Sequence, residues 1–265
     1  MKFLYRLIFF ASFSLLLACE DPITLQLKDN TPKYVIEGMV TNEAGACWVN
    51  VSQTKSLSES NQFNGVSGAI VKIAYNGNTI TLTETEKGVY KTNLINGTPG
   101  VTYQLNVNIR GEVFTASSKM PAVVPFLDFK LKPSDYDTVR TTPMVKFKDP
   151  DGVNNYYWFQ QYINDKLQSQ YKVLNDEFTP GQEVNDYLVF ENTTKNNSKN
   201  IKRGDKLTAE MHSIDPAVYT YLFSLSNANG SLDGAAPANP LSNIKGGALG
   251  FFSAHTVERK TLVIP

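Results

Sequence analysis

Cysteine and histidine are scarce, at two each in a chain of 265 residues. A zinc centre needs three or four convergent ligands. His212 and His255 stand apart with no HxH or HxxxH spacing and no cysteine pair, so no metal role is expected of them. His212 is expected at a strand end before a helix, and His255 in a turn. Cys19 and Cys47 cannot supply a multi-bridge disulfide framework, so stability must come from core burial. Excess charge is lacking too, because Lys plus Arg and Asp plus Glu both number 25. That balance leaves no electrostatic footprint for nucleic acid or for an anionic bilayer. A membrane-crossing helix needs about 20 apolar residues, and the apolar run Leu7 to Leu17 is much shorter. No Gly-x-Ser-x-Gly elbow occurs, and Gly246-Gly247 is not followed by the Lys-Ser/Thr of a phosphate loop.

What the chain does have is short alternating runs, with Tyr 13 and Phe 15 among 42% apolar residues. This is β-protein composition. Tyr103, Leu105, Val107 and Ile109 alternate with Thr102, Gln104, Asn106 and Asn108, the pattern of a half-buried antiparallel strand. Val35 to Val40, Cys47 to Val51, and Ala69 to Tyr75 followed by Asn76-Gly77 and Thr79 to Thr83 read as further strands and a hairpin. Short strands with turns every eight to twelve residues predict a sandwich over 33–122. Prolines 121, 125 and 133 surround Phe126 to Phe129 and mark the entry to a second β-rich domain, 123–265. Its expected strands include Met144 to Phe147, Tyr156 to Phe159, Leu167 to Leu174, Leu207 to Ile214, and a last one near Thr261 to Ile264. One helix is predicted, with Asp215 as N-cap, Pro216 at the first position and Asn229-Gly230 at the end. The fold class expected is all-β, mainly: an N-terminal β-sandwich plus a second β-rich domain carrying one short α-helix.

The amino terminus has its own logic. Lys2 and Arg6 precede the apolar run, which closes on Leu16-Leu17-Ala18-Cys19. Ordinary signal cleavage wants small residues at both flanking positions; Ala18 fits and Leu16 does not. The tetrapeptide resembles a bacterial lipobox. That resemblance implies a signal peptide over 1–18, lipidation of Cys19 with palmitate-type chains, and a lipidated tether over 19–32. The resemblance also implies three acyl chains, and each buried methylene adds about 0.8 kcal/mol. Glu20 and Asp21 follow directly. Similar lipoproteins of the Bacteroidota use acidic residues there to reach the cell surface; in other lineages the same position signals inner-membrane retention. Outer-membrane anchoring with surface exposure is expected, and the periplasmic face is the alternative.

Residues that could carry chemistry each have a plainer reading. Gly45-Ala46-Cys47-Trp48 superficially resembles a papain-like nucleophile region, but a strand start lacks the helix N-terminus that would activate the thiol, so Cys47 reads as core. Asp149-Pro150-Asp151-Gly152 with Asn154 and Asn155 offers hard oxygens at alternate positions. Asp149, Asp151 and Asn154 are the calcium candidates, although no Glu closes the loop and ordinary turn chemistry uses the same residues. Glu84 with Glu86, and Asp176 with Glu177, read as solvated charges, because spacing alone does not set two carboxyls across a cleft. Trp48, Trp158, Tyr156 and Tyr162 could stack on sugars, or lie in the core as alternate strand aromatics do. No catalytic residue and no cofactor is assigned, and no ligand is disclosed.

Two family resemblances add to this reading. Ile36-Glu37-Gly38-Met39-Val40, Gly68-Ala69-Ile70-Val71, Gly88-Val89-Tyr90 and Tyr103-Gln104-Leu105 resemble transthyretin-like or carboxypeptidase-regulatory-like modules, which implies a structural or adhesive first domain. Asp149-Pro150 to Tyr157, Asp215-Pro216 to Leu222, and Ser242-Asn243-Ile244 to Gly247-Ala248-Leu249-Gly250-Phe251-Phe252, together with the lipobox, resemble the Bacteroidota lipoproteins grouped as domain of unknown function 4249. Members accompany TonB-dependent outer-membrane transporters, which implies an accessory role in nutrient uptake with such a receptor as partner. An adhesin or structural spacer is the alternative. A hydrolase with a site in the second domain is the third reading.

Overall fold

Alternating burial builds the strands seen in a computed structural model, which describes residues 32–55, 62–133, 141–152, 154–190, 201–230 and 239–265. In chain order they are β1 (Tyr34–Thr41), β2 (Cys47–Gln53), β3 (Ile70–Tyr75), β4 (Asn78–Thr81), β5 (Thr83–Glu86), β6 (Val89–Thr92), β7 (Thr102–Ile109) and β8 (Glu112–Lys119). β9 (Phe126–Pro133), β10 (Thr141–Lys148), β11 (Tyr156–Ile163), β12 (Lys166–Asn175), β13 (Glu183–Tyr187) and β14 (Lys206–Ile214) follow, then helix α1 (Pro216–Gly230) and β15 (Leu249–Val263). Among the described residues the chain is mainly β with one short helix, as its composition predicts. Hairpin turns fall where the turn residues stand: Asn76 and Gly77, Arg110 and Gly111, and Asn164 and Asp165 all take positive φ.

Three sheets result. An eight-stranded sheet has the order β12-β11-β14-β15-β1-β2-β6-β5, a four-stranded sheet β4-β3-β7-β8, and a three-stranded sheet β13-β10-β9. Strands from both sides of residue 122 meet in the large sheet, because β15 pairs parallel with β1 and antiparallel with β14. Successive strand residues point to opposite faces. Phe252 and Ala254 accordingly enter one core with Val49, Leu105 and Val107. Tyr157 and Phe159 enter a second with Phe147 and Leu188 of the three-stranded sheet region. Phe251 and Trp158, from the alternate positions, enter a third with Val218 and Leu222 of α1. The two smaller sheets therefore cover one face of the large sheet, and α1 lies on the other. Burying one such Phe or Leu side chain stabilises by about 1.5–3 kcal/mol.

β15 is longer than the expected Thr261 to Ile264, and His255 lies within it instead of in a turn. The physical reason is two-sided burial: residues 250–257 are all buried, so polar and apolar residues follow one another without a period of two. β13 gave no sequence signal because its residues, Glu183 to Tyr187, are mostly polar and edge-placed.

The predicted helix stands. Asp215 Oδ1 accepts hydrogen bonds from the Ala217 and Val218 amides at 2.9 and 3.0 Å, an N-cap in the usual sense. Its Oδ2 accepts the Ser118 hydroxyl. Ser118 Oγ in turn accepts the Ala254 amide at 2.8 Å, so a single buried serine ties β8, α1 and β15 together.

Candidate functional site

β3, β7 and β8 put their polar residues outward while Val71, Ile73, Leu105, Val107, Phe114 and Ala116 fill the core beneath. Register then sets the outward residues in rows. Lys72 faces Thr81 on β4 and Asn106 on β7, and Asn106 faces Thr115 on β8. Thr115 also forms an antiparallel bridge with Lys245, and the row continues onto the loop before β15. A second row runs Thr79, Ala74, Gln104, Ser117. Together they line an open depression of about 540 Å³, within the size of small-ligand pockets.

The wall of this depression is built, and its residues explain the Ser242 to Phe252 pattern. Asn243 accepts the Phe252 amide at 2.9 Å and donates to the Phe252 carbonyl at 2.8 Å, replacing a strand partner with one side chain. Ser242 Oγ donates to the Gly250 carbonyl at 2.7 Å. Lys245 and Thr115 exchange backbone hydrogen bonds of 2.7 and 3.1 Å. Gly246 takes φ +102, and a Cβ there would lie 2.7 Å from the Val113 carbonyl oxygen. Close packing on β8, not phosphate binding, is what this glycine serves.

A second polar centre is buried beneath α1's face of the large sheet. The Trp158 and His212 rings stack with centroids 4.7 Å apart, and His212 meets His255 edge-on at 4.9 Å. The two histidines, separate in sequence, are neighbours in space. Trp158 Nε1, His212 Nδ1 and His255 Nε2 have no hydrogen-bond partner among the described residues, and His212 Nε2 lies 3.5 Å from Glu210 Oε2. Burial holds His212 below the ordinary histidine pKa, with Glu210 acting the other way, and holds His255 well below it, with the charge of His212 adding to the shift. Burial thus favours the neutral form of both rings. Glu210 is subject to burial, which would raise it, but bonds from His212, Tyr162 and Arg259 outweigh that and hold it at about 2. Arg259 bridges Glu210 at 2.8 Å and Glu43 at 2.6 Å. His255 Nδ1 lies 2.8 Å from Ser253 Oγ. This couple has the composition of a nucleophile and base, yet both residues are 0% exposed.

The sequence candidates are dispersed. Cys47 is buried in the first core, and burial pushes its thiol up to about 12, which opposes thiolate chemistry. Asp149 is fully buried and accepts the Tyr157 hydroxyl, while Asp151 and Asn154 are exposed. Burial raises the Asp149 pKa, so the loop holds its first carboxyl inward. Asp176 Oδ2 accepts the Asn155 amide at 2.8 Å and pins the neighbouring loop. Among the described residues no cluster of three or more His, Cys, Asp or Glu could hold a metal. Glu84 accepts the Gly68 and Gly88 amides at 3.1 and 3.0 Å and braces a turn. Trp158 is core; Trp48, Tyr156 and Tyr162 are half-buried, with Tyr156 against Tyr219 and Tyr162 donating to Glu210. Cys19 and the tether before residue 32 lie outside the described residues. Among the described residues no helix is long and apolar enough to cross a membrane.

The groove residues Lys72, Asn106, Thr115 and Lys245 escaped sequence reasoning. The available signal was the outward half of each alternating run, which carries amides, hydroxyls and lysines but no carboxylate.

The family model described as Domain of unknown function (DUF4249) matches residues 20–261. No curated protein matches the chain. Among solved structures, a candidate carbohydrate-binding protein from Bacteroides uniformis is 10% identical over 87% of this chain and 98% of that one, with a TM-score of 0.26. The chicken interferon gamma receptor alpha chain is 9% identical over 69% and 90%, with a TM-score of 0.21. A DUF4785 family protein from Legionella pneumophila is 13% identical over 68% and 52%, with a TM-score of 0.24. Likenesses this remote carry no argument about fold or ligand.

Proposed function

We infer that this chain, which belongs to the DUF4249 family, is a lipid-anchored, non-enzymatic binding protein of the outer membrane. Cys19 carries the lipid, the folded body faces the cell surface, and the protein serves as an accessory to a TonB-dependent transporter in nutrient uptake. The observation that carries the binding role is the walled depression of about 540 Å³ on the outer face of the four-stranded sheet. Support for the anchor is the charged start, apolar run and Leu16-Leu17-Ala18-Cys19 terminus. Support for a non-catalytic role is that Cys47, Ser253 and His255, the residues nearest to a nucleophile or base, are all buried and neutral.

Purification of the tagged full chain from outer membranes in mild detergent tests the partnership. A TonB-dependent transporter in stoichiometric amount is the expected companion. Recovery of the chain without any transporter overturns the accessory role and leaves the adhesin or spacer reading.

A further inference from the structure

We propose that the depression on the four-stranded sheet is a binding site for an acidic saccharide, a reading that rests on the binding role above. The solvent face of an antiparallel sheet is commonly polar, so polarity alone says nothing. The pattern of charge says more. Lys72 and Lys245 form no ion pair among the described residues, and none of the described residues lining the depression bears a carboxylate. In a chain with equal numbers of acidic and basic residues, a concave face carrying only ammonium charge is complementary to an anion.

The row between the two lysines supplies the second half of the recognition. Asn106 and Thr115 stand in line between Lys72 and Lys245, with Gln104 and Ser117 in the row beside them. Three strand spacings separate the ends of the row, about 14 Å. Amides and hydroxyls each donate and accept, which matches a chain of hydroxyl groups. Single-stranded nucleic acid would call for aromatic platforms, and no aromatic residue lines this face. A peptide strand adding to the β8 edge at Thr115 would have to displace Lys245. The bound ligand is thus an oligosaccharide with carboxylates or sulfates spaced to reach both ammonium groups, and the amides between them hold its hydroxyls.

The test is calorimetric titration of the detergent-solubilised full chain with polygalacturonate, an acidic polysaccharide, and with dextran, a neutral one. Polygalacturonate binds, dextran binds at least about tenfold more weakly, and the K72A/K245A double variant loses about tenfold in affinity for polygalacturonate, as two solvent-exposed ion pairs imply. K130A, outside the depression, binds as the unaltered chain does. Equal affinity for both polymers, or an unchanged K72A/K245A variant, overturns the acidic class. If both polymers bind equally and N106A weakens both, the depression remains a binding site and only the charge argument falls. If neither binds while the chain still co-purifies with a transporter, the saccharide proposal fails and the accessory role survives.

Discussion

Acidification should destabilise this protein, in part through the buried imidazole of His255. His255 is 0% exposed, its Nε2 has no partner, and its ring centroid lies 4.9 Å from that of His212. Burial first, and the charge of His212 second, hold its pKa well below the ordinary value. The unfolded chain takes up this proton near pH 6.5, whereas the folded chain does not. A depressed folded pKa contributes stability that is present above the unfolded pKa and is lost as pH falls. Proton uptake by the unfolded chain alone limits the loss to at most about 1.4 kcal/mol between pH 8 and pH 5.5, and at most about 2 kcal/mol by pH 5. The group that faces this pair most closely, Glu210, is held at about 2 and stays charged throughout. His255→Gln keeps a polar group near Ser253 but cannot titrate. Urea unfolding of both proteins at pH 8 and pH 5.5 reads the difference. The unaltered protein should lose more than the variant, by up to about 1.4 kcal/mol. A stability gap that does not change with pH would refute the assignment of a buried neutral imidazole.

Three other perturbations test separate parts of the fold. Asp215→Ala removes the N-cap and leaves the Ser118 hydroxyl unpaired, at a cost of about 2–4 kcal/mol; in a double-mutant cycle with Ser118→Ala the two effects should be non-additive by at least about 0.5 kcal/mol, and strict additivity would deny the shared bond. Gly250→Ala places a Cβ 2.1 Å from the Ile36 carbonyl oxygen at φ +96, whereas Gly68→Ala at φ +79 meets nothing within 4 Å. The second should cost about 1–2 kcal/mol for backbone conformation alone, the first clearly more, and equal melting temperatures would remove the close approach of β1 to β15. Cys47, with its thiol pushed up to about 12, should resist iodoacetamide at pH 8 in the folded protein and react on unfolding; rapid native labelling would contradict its burial.

How far the sequence disclosed this structure depended on how local the signal was. β7 was legible because one face is core and the other solvent, so its alternation survives intact. α1 was legible because Asp215, Pro216 and Gly230 are its own punctuation. β15 was not, since its residues from Gly250 to Val257 are buried on both faces and its parallel partner β1 lies more than two hundred positions earlier. The pairing of His212 with His255 followed from that same register and was equally hidden. For the candidate site, the residues were in plain view in β3, β7 and β8, but the alternation draws attention to the inward half. Lys245 joined them only through a backbone bridge to Thr115, which no spacing rule contains. Conversely Asp149-Pro150-Asp151-Gly152 attracted attention as an oxygen-rich run, while its first carboxylate is turned inward to Tyr157.

The proposed anchoring through Cys19 is open to one direct reading. Protein isolated from outer membranes should yield an N-terminal peptide that begins at Cys19 and carries the added mass of acyl chains in mass spectrometry. A peptide that begins elsewhere, or a Cys19 with a free thiol and free amine, would contradict a membrane-held binding protein at its foundation.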